Sequence, residues 1–357
     1  MNLPFMKKAG PVVGLDIGSS GVKVVGVSTS SKGFEVTHLG MAPVPAEAIV
    51  QGAFLNSSAI VDAIRDAVAN AGIKGKDIAA AVSGHSVIVK QISLPVMTAE
   101  ELEESIRWEA EQYIPFDVNE VNLDFQILSG DDAEGQMDVL LVAAKKDLVD
   151  DYVQVIGEAG LSPAVVDVAS FAIENAFEAN YDVEPGEVVA LVNVGAQVVN
   201  ISVVKDGMPA FTRDISTGGN QYTEEIQKAL SIGYDEAERI KLGNATPDDS
   251  HDVVPQEVDH AMRATTDQVL GEITRSLDFF SATAAESRIG RVMVCGGSAH
   301  VSDFAKSFQD RANVPVQVLN PFERMLPSKK FDEAFLLEMG PFMTVGVGLA
   351  LRRTDER

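Results

Sequence analysis

The sequence predicts an α/β protein made of two similar domains, and three observations lead to this fold class. The chain has 357 residues, enough for about two domains of ordinary size. Apolar segments of strand length alternate with segments whose apolar residues recur at helical spacing. A strand, turn and strand at 12–27 are repeated in design at 188–204, which indicates an internal duplication.

The first of these segments carries polar groups at its turn. Val12 to Ile17 and Val22 to Val27 are apolar strands that are interrupted mainly by Asp16 and Lys23. The turn between them holds small residues, namely Gly18, Ser19, Ser20 and Gly21. Glycine permits the backbone angles that bring N–H groups and hydroxyls close to an anion, and the Asp16 carboxylate suits a hard cation such as magnesium. A phosphate-and-metal loop is one interpretation, and an ordinary hairpin with a glycine-rich turn is the alternative.

The rest of the first half is predicted as a β-β-β-α-β series with an insertion. Strands are expected at 34–41, 78–83, 87–94 and 163–168, and helices at 57–70 and 171–179. Residues 96–162 are predicted to form an inserted α-β-β-α unit, whose first helix begins at a capping box of Thr98 and Glu101. Such insertions usually carry partner specificity rather than chemistry.

The second half begins with the repeated segment, in which Asn193 and Gly195 follow the spacing of Asp16 and Gly18. Strands are expected at 208–215, 291–295 and 316–319, and helices at 222–230, 235–242, 258–285 and 344–353. The strand at 291–295 ends in Gly296-Gly297-Ser298, a turn that lets a ligand approach the backbone closely. The polar stretch 243–255 is expected to be a mobile loop.

Composition argues against several classes of function. The 53 acidic residues outnumber the 28 basic ones, and the net charge of −25 makes direct binding to nucleic acid or to an anionic membrane unexpected. Apolar runs fall short of the roughly 20 residues that span a bilayer, and no signal peptide is recognised, so a cytoplasmic location is expected. The single cysteine, Cys295, is expected to be a core residue, and His85 lacks a second residue at metal-ligand spacing.

The duplicated hairpins, the Gly-Gly-Ser-Ala turn and the closing helix together resemble the actin-like ATPase superfamily, which has an RNase H-like fold. The insertion is similar in order and position to that of the bacterial division protein FtsA. Four stretches, 13–20, 109–116, 272–277 and 347–352, resemble the PilM family of type IV pilus assembly proteins, and the resemblance covers residues 12–353. It implies a first actin-like domain (1A, residues 1–95, 163–185 and 341–357) with an inserted subdomain (1C, 96–162), and a second domain (2A, 186–216 and 286–340) with a subdomain 2B (217–285).

This resemblance implies a site for ATP and Mg²⁺ between the two domains. The residues expected to contact the phosphates are Gly18, Ser19, Ser20, Gly21 and Lys23 in the first loop and Gly195, Ala196 and Gln197 in the second. Asp16 and Asn193 are expected near the metal. Gly296, Gly297 and Ser298 are expected to border the adenosine, and Gly218 and Gly219 precede the helix from which the superfamily contacts the ribose and adenine.

Some implied roles have equally simple alternatives. Glu224 or Glu225 with Lys228 would contact the ribose and adenine, but an exposed pattern of helical charges accounts for them as well. Asp167 falls where active superfamily members carry the group that positions the attacking water, and a strand-edge or capping acid is its alternative role. Where active ATPases have an aspartate in the second loop, this chain has Asn193, which removes a negative charge and predicts slow or negligible hydrolysis.

The resemblance also implies a partner. PilM proteins bind the N-terminal cytoplasmic peptide of PilN in a groove between the first domain and the insert, for which 101–116 and 139–144 are the candidate segments. A cytoplasmic scaffold that reaches the inner membrane through PilN and other pilus platform proteins is therefore expected.

Three alternatives stay open: an FtsA-like division protein, a small-molecule kinase and an actin-like homo-oligomer. The first is expected to carry a C-terminal amphipathic membrane helix, whereas this sequence ends at Arg357, shortly after the closing helix. The second needs a base acid and polar sugar contacts, for which no convincing set is found.

Overall fold

The structure of the chain, a computed structural model, describes residues 12–130, 135–243, 256–284, 287–326 and 328–353. Its strands are β1 (Val13–Ile17), β2 (Gly21–Ser30), β3 (Gly33–Pro43), β4 (Ile49–Val50), β5 (Ala53–Phe54), β6 (Asp77–Val82), β7 (Val87–Pro95), β8 (Val121–Gly130), β9 (Gln136–Lys145), β10 (Ser162–Val168), β11 (Val188–Val194), β12 (Val199–Lys205), β13 (Met208–Ile215), β14 (Arg291–Cys295) and β15 (Val316–Val318). Its helices are α1 (Ser57–Ala71), α2 (Ala99–Ala110), α3 (Lys146–Glu158), α4 (Ala169–Glu178), α5 (Asn220–Leu230), α6 (Tyr234–Lys241), α7 (Gln256–Thr283), α8 (Phe304–Ala312) and α9 (Glu333–Ala350).

Two five-stranded sheets share one topology, which confirms the predicted duplication. Sheet A has the order β10-β6-β1-β2-β3, and sheet B has the order β15-β14-β11-β12-β13. In each sheet the first strand pairs antiparallel with the second, which pairs antiparallel with the third, and two later strands extend the other side in parallel. Helices α1 and α3 pack on sheet A, and α7 and α8 pack on sheet B. These two bodies are called the first and the second domain below.

Helices α4 and α9 lie between the two sheets. Their apolar residues form one core with sheet A and sheet B, in which Phe177 and Leu349 are fully buried. The approach is close because α9 carries glycines: a Cβ at Gly348 would lie 1.7 Å from the Ala172 carbonyl oxygen of α4. Helix α9 thus joins the two domains through a contact that a larger residue would break.

The closing helix differs from its prediction. It was expected to begin at Thr344, and it begins at Glu333 with Pro341 inside it. Sequence reading treats an internal proline as a helix boundary, because proline lacks the N–H that the helix ladder uses. Among the described helices, α9 is the one whose length and mean hydropathy, 1.2 over 18 residues, would suffice to cross a bilayer, but 56% of it is buried in the interdomain core.

A third sheet, with the order β7-β9-β8, forms the insert together with α2. The buried face of α2, which includes Leu102 and Ile106, packs on this sheet. The capping box of Thr98 and Glu101 is present as predicted. Strand β7, assigned by the sequence to the first domain, pairs with β9 of the insert, while α3 contributes Val155 to the core of the first domain. The residue boundaries of the four subdomains stay a prediction.

Most of the predicted helices and strands are present. The structure also contains the hairpin of β4 and β5 and the helix α8, which were not predicted. The loop predicted to be mobile, 243–255, lies outside the described residues from 244 onward. The β4–β5 hairpin matters for function because its residues 49–52 line the cleft described next.

Candidate functional site

A cleft of about 750 Å³ lies between the two domains, within the size range of small-molecule sites. Both duplicated hairpins, the N-terminal end of α5 and the turn after β14 line it. The predicted site residues that line it are Asp16, Gly18, Ser19, Ser20, Gly21, Lys23, Asn193, Gly195, Ala196, Gln197, Gly218, Gly219, Glu224, Gly296, Gly297 and Ser298. The fold therefore brings together residues that are up to 282 positions apart in the sequence, from Asp16 to Ser298.

The first loop joins β1 to β2 and carries an ion pair beside it. The Gly18 N–H donates to the Gly21 carbonyl at 3.1 Å, which closes the turn. Asp16 and Lys23 face each other across the two strands, and their charged atoms lie 3.1 Å apart with 20% and 15% of the side chains exposed. A Cβ at Gly18 would lie 3.0 Å from the Lys23 ammonium, so glycine leaves this cation room at the loop. The loop offers one cation and one carboxylate to a ligand.

The second loop, after β11, packs directly on the start of α5. The backbone N–H groups of Gly219 and Asn220 donate to the carbonyls of Gly195 and Ala196 at 2.9 and 2.8 Å. A Cβ at Gly218 would lie 2.4 Å from the Gly195 oxygen, so a side chain there would displace the loop. The glycines thus hold the second loop against the N-terminal end of α5 at one wall of the cleft, where the loop carbonyls accept from the first N–H groups of the helix.

Gln197 of the second loop reaches across to the first domain. Its side-chain nitrogen donates to the Ile49 carbonyl at 2.9 Å, and its oxygen accepts from the Gln51 N–H at 3.1 Å. Both backbone groups belong to the β4–β5 hairpin. A single side chain therefore connects the two domains at the edge of the cleft.

A row of polar side chains crosses sheet B next to the second loop. Asn193 faces Asn200 on β12, and Asn200 faces Asp214 on β13. The Asn193 amide donates to Asn200 and the Asn200 amide donates to Asp214, both at 2.8 Å. The other Asp214 oxygen accepts from the N–H of Gly84 in the first domain. Burial raises the pKa of Asp214, and these two hydrogen bonds oppose the rise.

Asn200, which lines the cleft, and Asp214, which accepts a hydrogen bond from it, were not predicted from the sequence. Their side chains meet only through strand register, since Asn200 is separated from Asp214 by a turn between β12 and β13. In the first domain, Asp16 and Lys23 correspond to Asn193 and Asn200, because each pair faces across its hairpin with the same spacing in the sequence. Comparing the two hairpins position by position would have found Asn200.

The turn after β14 forms another wall of the cleft. Gly296 has φ +87°, and a Cβ there would lie 2.5 Å from the Asn193 side-chain oxygen, so this position requires glycine. The Ser298 hydroxyl donates to the Gly195 carbonyl at 3.3 Å. The rings of His300 and Phe342 stack with centroids 4.7 Å apart, and both line the cleft. This wall offers flat rings and backbone to a ligand.

Three predicted residues are not among those that line the cleft. Glu225 and Lys228 pair with each other at 2.6 Å on the exposed side of α5. Asp167 pairs with Arg352 at 3.3 Å and accepts from its neighbouring Val168 N–H. The geometry is that of a surface charge pair on α5 for Glu225 and Lys228, and of an acid on the edge strand β10 with an arginine partner for Asp167, and the roles predicted for the three residues stay predictions.

Other charged residues occupy the place that was expected for Glu225 and Lys228. Lys241 and Glu238 of α6 pair at 2.6 Å, line the cleft and lie beside Glu224. The Lys241 ammonium also donates to the Gly219 carbonyl at 3.3 Å. The sequence placed this helix correctly, but its packing on α5 could not be read from periodicity.

A magnesium ion fits the donor set at the first loop. Within the described residues no group of three or more histidine, cysteine, aspartate or glutamate side chains forms a metal cage. Magnesium in nucleotide sites is usually held by one or two carboxylates together with phosphate oxygens and waters, which Asp16 at the cleft wall satisfies. Asn193 is less suited, because its amide nitrogen is bound to Asn200 and its oxygen accepts from the Cys295 thiol at 3.8 Å.

Two sheets of one duplicated topology, joined by a helix pair and enclosing a cleft between matching hairpin loops, define an actin-like protein. A family model described as type IV pilus assembly protein PilM matches residues 14–354. The chain therefore belongs to the PilM family.

Known structures and sequences agree with this assignment. A solved chain of a PilM-PilN type IV pilus biogenesis complex superposes with a TM-score of 0.85 and 28% identity, over 98% of this chain and 99% of that one. MreB5 of Spiroplasma citri bound to AMPPNP superposes with a TM-score of 0.50 and 12% identity, over 94% of both chains, which shows likeness of fold alone. Cell division protein FtsA of Bacillus subtilis (strain 168) is 22% identical over 87% of this chain and 78% of its own.

Proposed function

We propose that this chain is a nucleotide-binding scaffold of the type IV pilus assembly platform, which binds ATP with Mg²⁺ between its two domains and hydrolyses it slowly or not at all. The observation that carries the proposal is the cleft between the duplicated loops, lined by sixteen of the predicted site residues. Support comes from the PilM family match and from the nucleotide analogue in the MreB5 structure, which shares this fold.

Each wall of the cleft has a separate task in this proposal. The first loop and Lys23 bind the β- and γ-phosphates, and Asp16 holds the magnesium ion, which neutralises phosphate charge. The second loop closes on the phosphates from the other side of the cleft. Gly296, Gly297, Ser298 and the stacked rings of His300 and Phe342 border the adenosine, while Lys241, Glu238 and Glu224, which line the same cleft, contact the ribose.

Slow hydrolysis is proposed because no acid in the described lining is placed to activate water opposite Asp16. Asn193 stands where an acid is expected and is engaged by Asn200. Asp167 is paired with Arg352 away from the lining. Asp214, at the end of the row that begins at Asn193, has both oxygens occupied by hydrogen bonds. The other acids of the described lining, Glu224 and Glu238, lie on α5 and α6 at the end proposed for the ribose. The proposed phosphate site therefore lacks a free general base besides the metal ligand Asp16.

The proposed partner is the N-terminal cytoplasmic peptide of PilN, since the solved relative at 28% identity is a chain of a PilM-PilN complex. Of the two candidate groove segments, 101–116 fits a docking surface, because Trp108 is 72% exposed. The other segment, 139–144, lies in β9, the central strand of its sheet, where Val139 and Leu141 are fully buried, and its part in the groove stays a prediction. The chain would reach the inner membrane through this peptide and through other platform proteins, and self-association would add to such contacts.

Mixing the purified chain with a synthetic PilN N-terminal peptide tests the scaffold role. We expect saturable one-to-one binding by isothermal titration calorimetry. Denaturing the purified protein is expected to release ATP or ADP, which mass spectrometry detects. Trp108→Ala is expected to weaken peptide binding about tenfold or more, as large aromatic residues at interfaces do. Phe279→Ala, at an exposed aromatic residue of α7, is the matched control. A chain that binds neither peptide nor nucleotide would contradict the proposal.

A further inference from the structure

A second recess, of about 400 Å³, lies beside the C-terminal half of α7 and shares no lining residue with the nucleotide cleft. Its floor is Gly271, and its walls come from α7, from the segment before β14 and from the end of α8. Three arginines line it, namely Arg275, Arg288 and Arg311. In a chain with a net charge of −25, a recess with this content calls for a physical explanation.

Two of the guanidinium groups converge over the glycine floor. A Cβ built at Gly271 would lie 3.6 Å from Nη2 of Arg311 and 3.9 Å from Nη1 of Arg275, so both cations share the space above one residue. Like charges that share such a space repel each other, and an anion bound between them would lower this repulsion further than the carboxylates of Glu272 and Asp267 do. Gly271 is buried in α7, and any side chain there would fill the space.

The nitrogens that face the recess are the free ones. Arg275 pairs with Glu272 through Nη2, which leaves Nη1 toward Gly271. Arg311 donates through Nη1 to the Asp267 carbonyl at 3.0 Å and pairs with the Asp267 carboxylate at 3.6 Å, which leaves Nη2 toward Gly271. Arg288 has no hydrogen bond or ion pair with any residue that the structure describes. Glu272 and Asp267 thus each hold one arginine by one terminal nitrogen, and the other terminal nitrogen of each arginine lies near Gly271.

We propose that this recess binds a phosphate group, carried by a small phosphorylated molecule or as free phosphate. Guanidinium forks match the oxygens of phosphate and carboxylate in pairs. A carboxylate has two oxygens and would leave one of three guanidinium groups unpaired, whereas a phosphate has enough oxygens for all three. The proposal is independent of nucleotide binding, because among the described residues no arginine lines the nucleotide cleft.

Asp278 sets a further expectation, since its carboxylate lines the same recess and repels an anion. Removing this charge by Asp278→Asn is expected to tighten phosphate binding severalfold. Arg311→Gln and Arg275→Gln remove one guanidinium each and are expected to weaken it about tenfold or more, as charge-assisted hydrogen bonds warrant.

The test is a titration of the full chain, labelled with ¹⁵N-arginine, with inorganic phosphate at constant ionic strength. The side-chain Nε–H signals of Arg275 and Arg311, assigned from the variants, are expected to shift saturably. Arg263, which pairs with Asp259 on an exposed turn of the same helix, is the control and is expected to stay unchanged. A second titration uses glycerol phosphate in place of inorganic phosphate. Tighter binding of glycerol phosphate indicates that the recess takes a small phosphorylated molecule, and tighter binding of inorganic phosphate indicates the free ion.

The outcomes are decisive in both directions. Saturable shifts confined to the recess, lost in the two arginine variants and strengthened in Asp278→Asn, support the site. Shifts that are linear in added salt, or shared by Arg263, would overturn it as general screening, and equal binding of acetate would overturn the phosphate assignment. Far-ultraviolet circular dichroism of each variant verifies the fold, so that a lost signal is not a lost structure.

Discussion

Asp16 and Lys23 occupy facing positions on β1 and β2, and the nucleotide proposal places the metal at Asp16 and a phosphate at Lys23. Asp16→Asn removes the metal ligand and the partner of Lys23 together. We expect the affinity for ATP in the presence of Mg²⁺ to fall about tenfold or more, because a charged ligand oxygen is lost. Without Mg²⁺ the affinity is expected to change little or to rise, since a carboxylate near the phosphates is removed.

Isothermal titration calorimetry with and without Mg²⁺ measures this difference. Asp62→Asn is the matched control, because Asp62 also pairs with a cation, Arg65, but on the exposed side of α1. An Asp16→Asn variant that binds ATP equally well with and without Mg²⁺, at wild-type affinity, would contradict the assignment of Asp16.

Glu174 on α4 is buried between the domains and accepts a hydrogen bond from Ser202 of β12. Burial raises its pKa from 4.5 to about 8. The folded chain therefore retains a proton that the unfolded chain loses, so the contribution of Glu174 to stability is fully present below about pH 4.5 and decreases as the pH rises toward 8.

Glu174→Gln is expected to remove this loss while its oxygen still accepts from Ser202. The variant should gain stability over the wild type as the pH rises from 5 to 8, by up to about 1.4 kcal/mol for each pKa unit. Urea denaturation of both proteins at several pH values measures the gain. A difference between the two proteins that is independent of pH would show that Glu174 titrates normally.

Helix α9 depends on glycines that let backbones touch. Gly348→Ala places a methyl group 1.7 Å from the Ala172 carbonyl oxygen of α4, where backbone has to move. We expect the free energy of unfolding to fall by about 1–3 kcal/mol or more, the usual cost of overpacking a core. Chemical denaturation measures it.

Gly157→Ala on α3 is the control for this substitution. A Cβ at Gly157 meets nothing within 4 Å, so alanine there is expected to stabilise the helix by about 0.5–1 kcal/mol. If Gly348→Ala left stability unchanged or raised it, as is expected for Gly157→Ala, the contact between α4 and α9 would not be as close as described.

Most of the helices and strands were predictable from the sequence, and the elements and contacts that were not predicted have physical causes. The duplicated hairpins were predictable because their apolar strands and glycine turns are local features. The start of α9 was not predicted because a proline such as Pro341 usually marks a helix boundary. In the structure Pro341 lies inside α9, and its carbonyl accepts from the N–H of Gly296 at 2.9 Å. Asp214 and Lys241 were missed because they reach their places only through strand register and helix packing.

In the whole molecule, the side chains of Gln197 and Asp214 connect the two domains beside the cleft. Gln197 binds the β4–β5 hairpin, and Asp214 accepts from the Gly84 N–H at the turn that leads into the insert. Release of the proposed nucleotide would require these walls to separate, since loops of both domains line the cleft. The two contacts are therefore expected to slow release.

Gln197→Ala removes both hydrogen bonds to the hairpin without changing the cleft's charge. We expect fluorescent ATP analogue to dissociate severalfold faster and backbone amides around Gln51 to exchange hydrogen faster, since two hydrogen bonds are lost. Gln317→Ala, at an exposed position of β15, is the control. Unchanged dissociation and exchange in Gln197→Ala would mean that this contact does not hold the domains together.

The proposed function depends on a cleft that holds ATP and turns it over slowly. Mixing the chain with an equal amount of γ-³²P-ATP and Mg²⁺, and following bound ATP and released phosphate over time, tests it most directly. We predict one ATP bound per chain, with turnover far below the ordinary enzyme range of about one per second. Absence of saturable ATP binding, or phosphate release at about one per second or faster, would contradict the account.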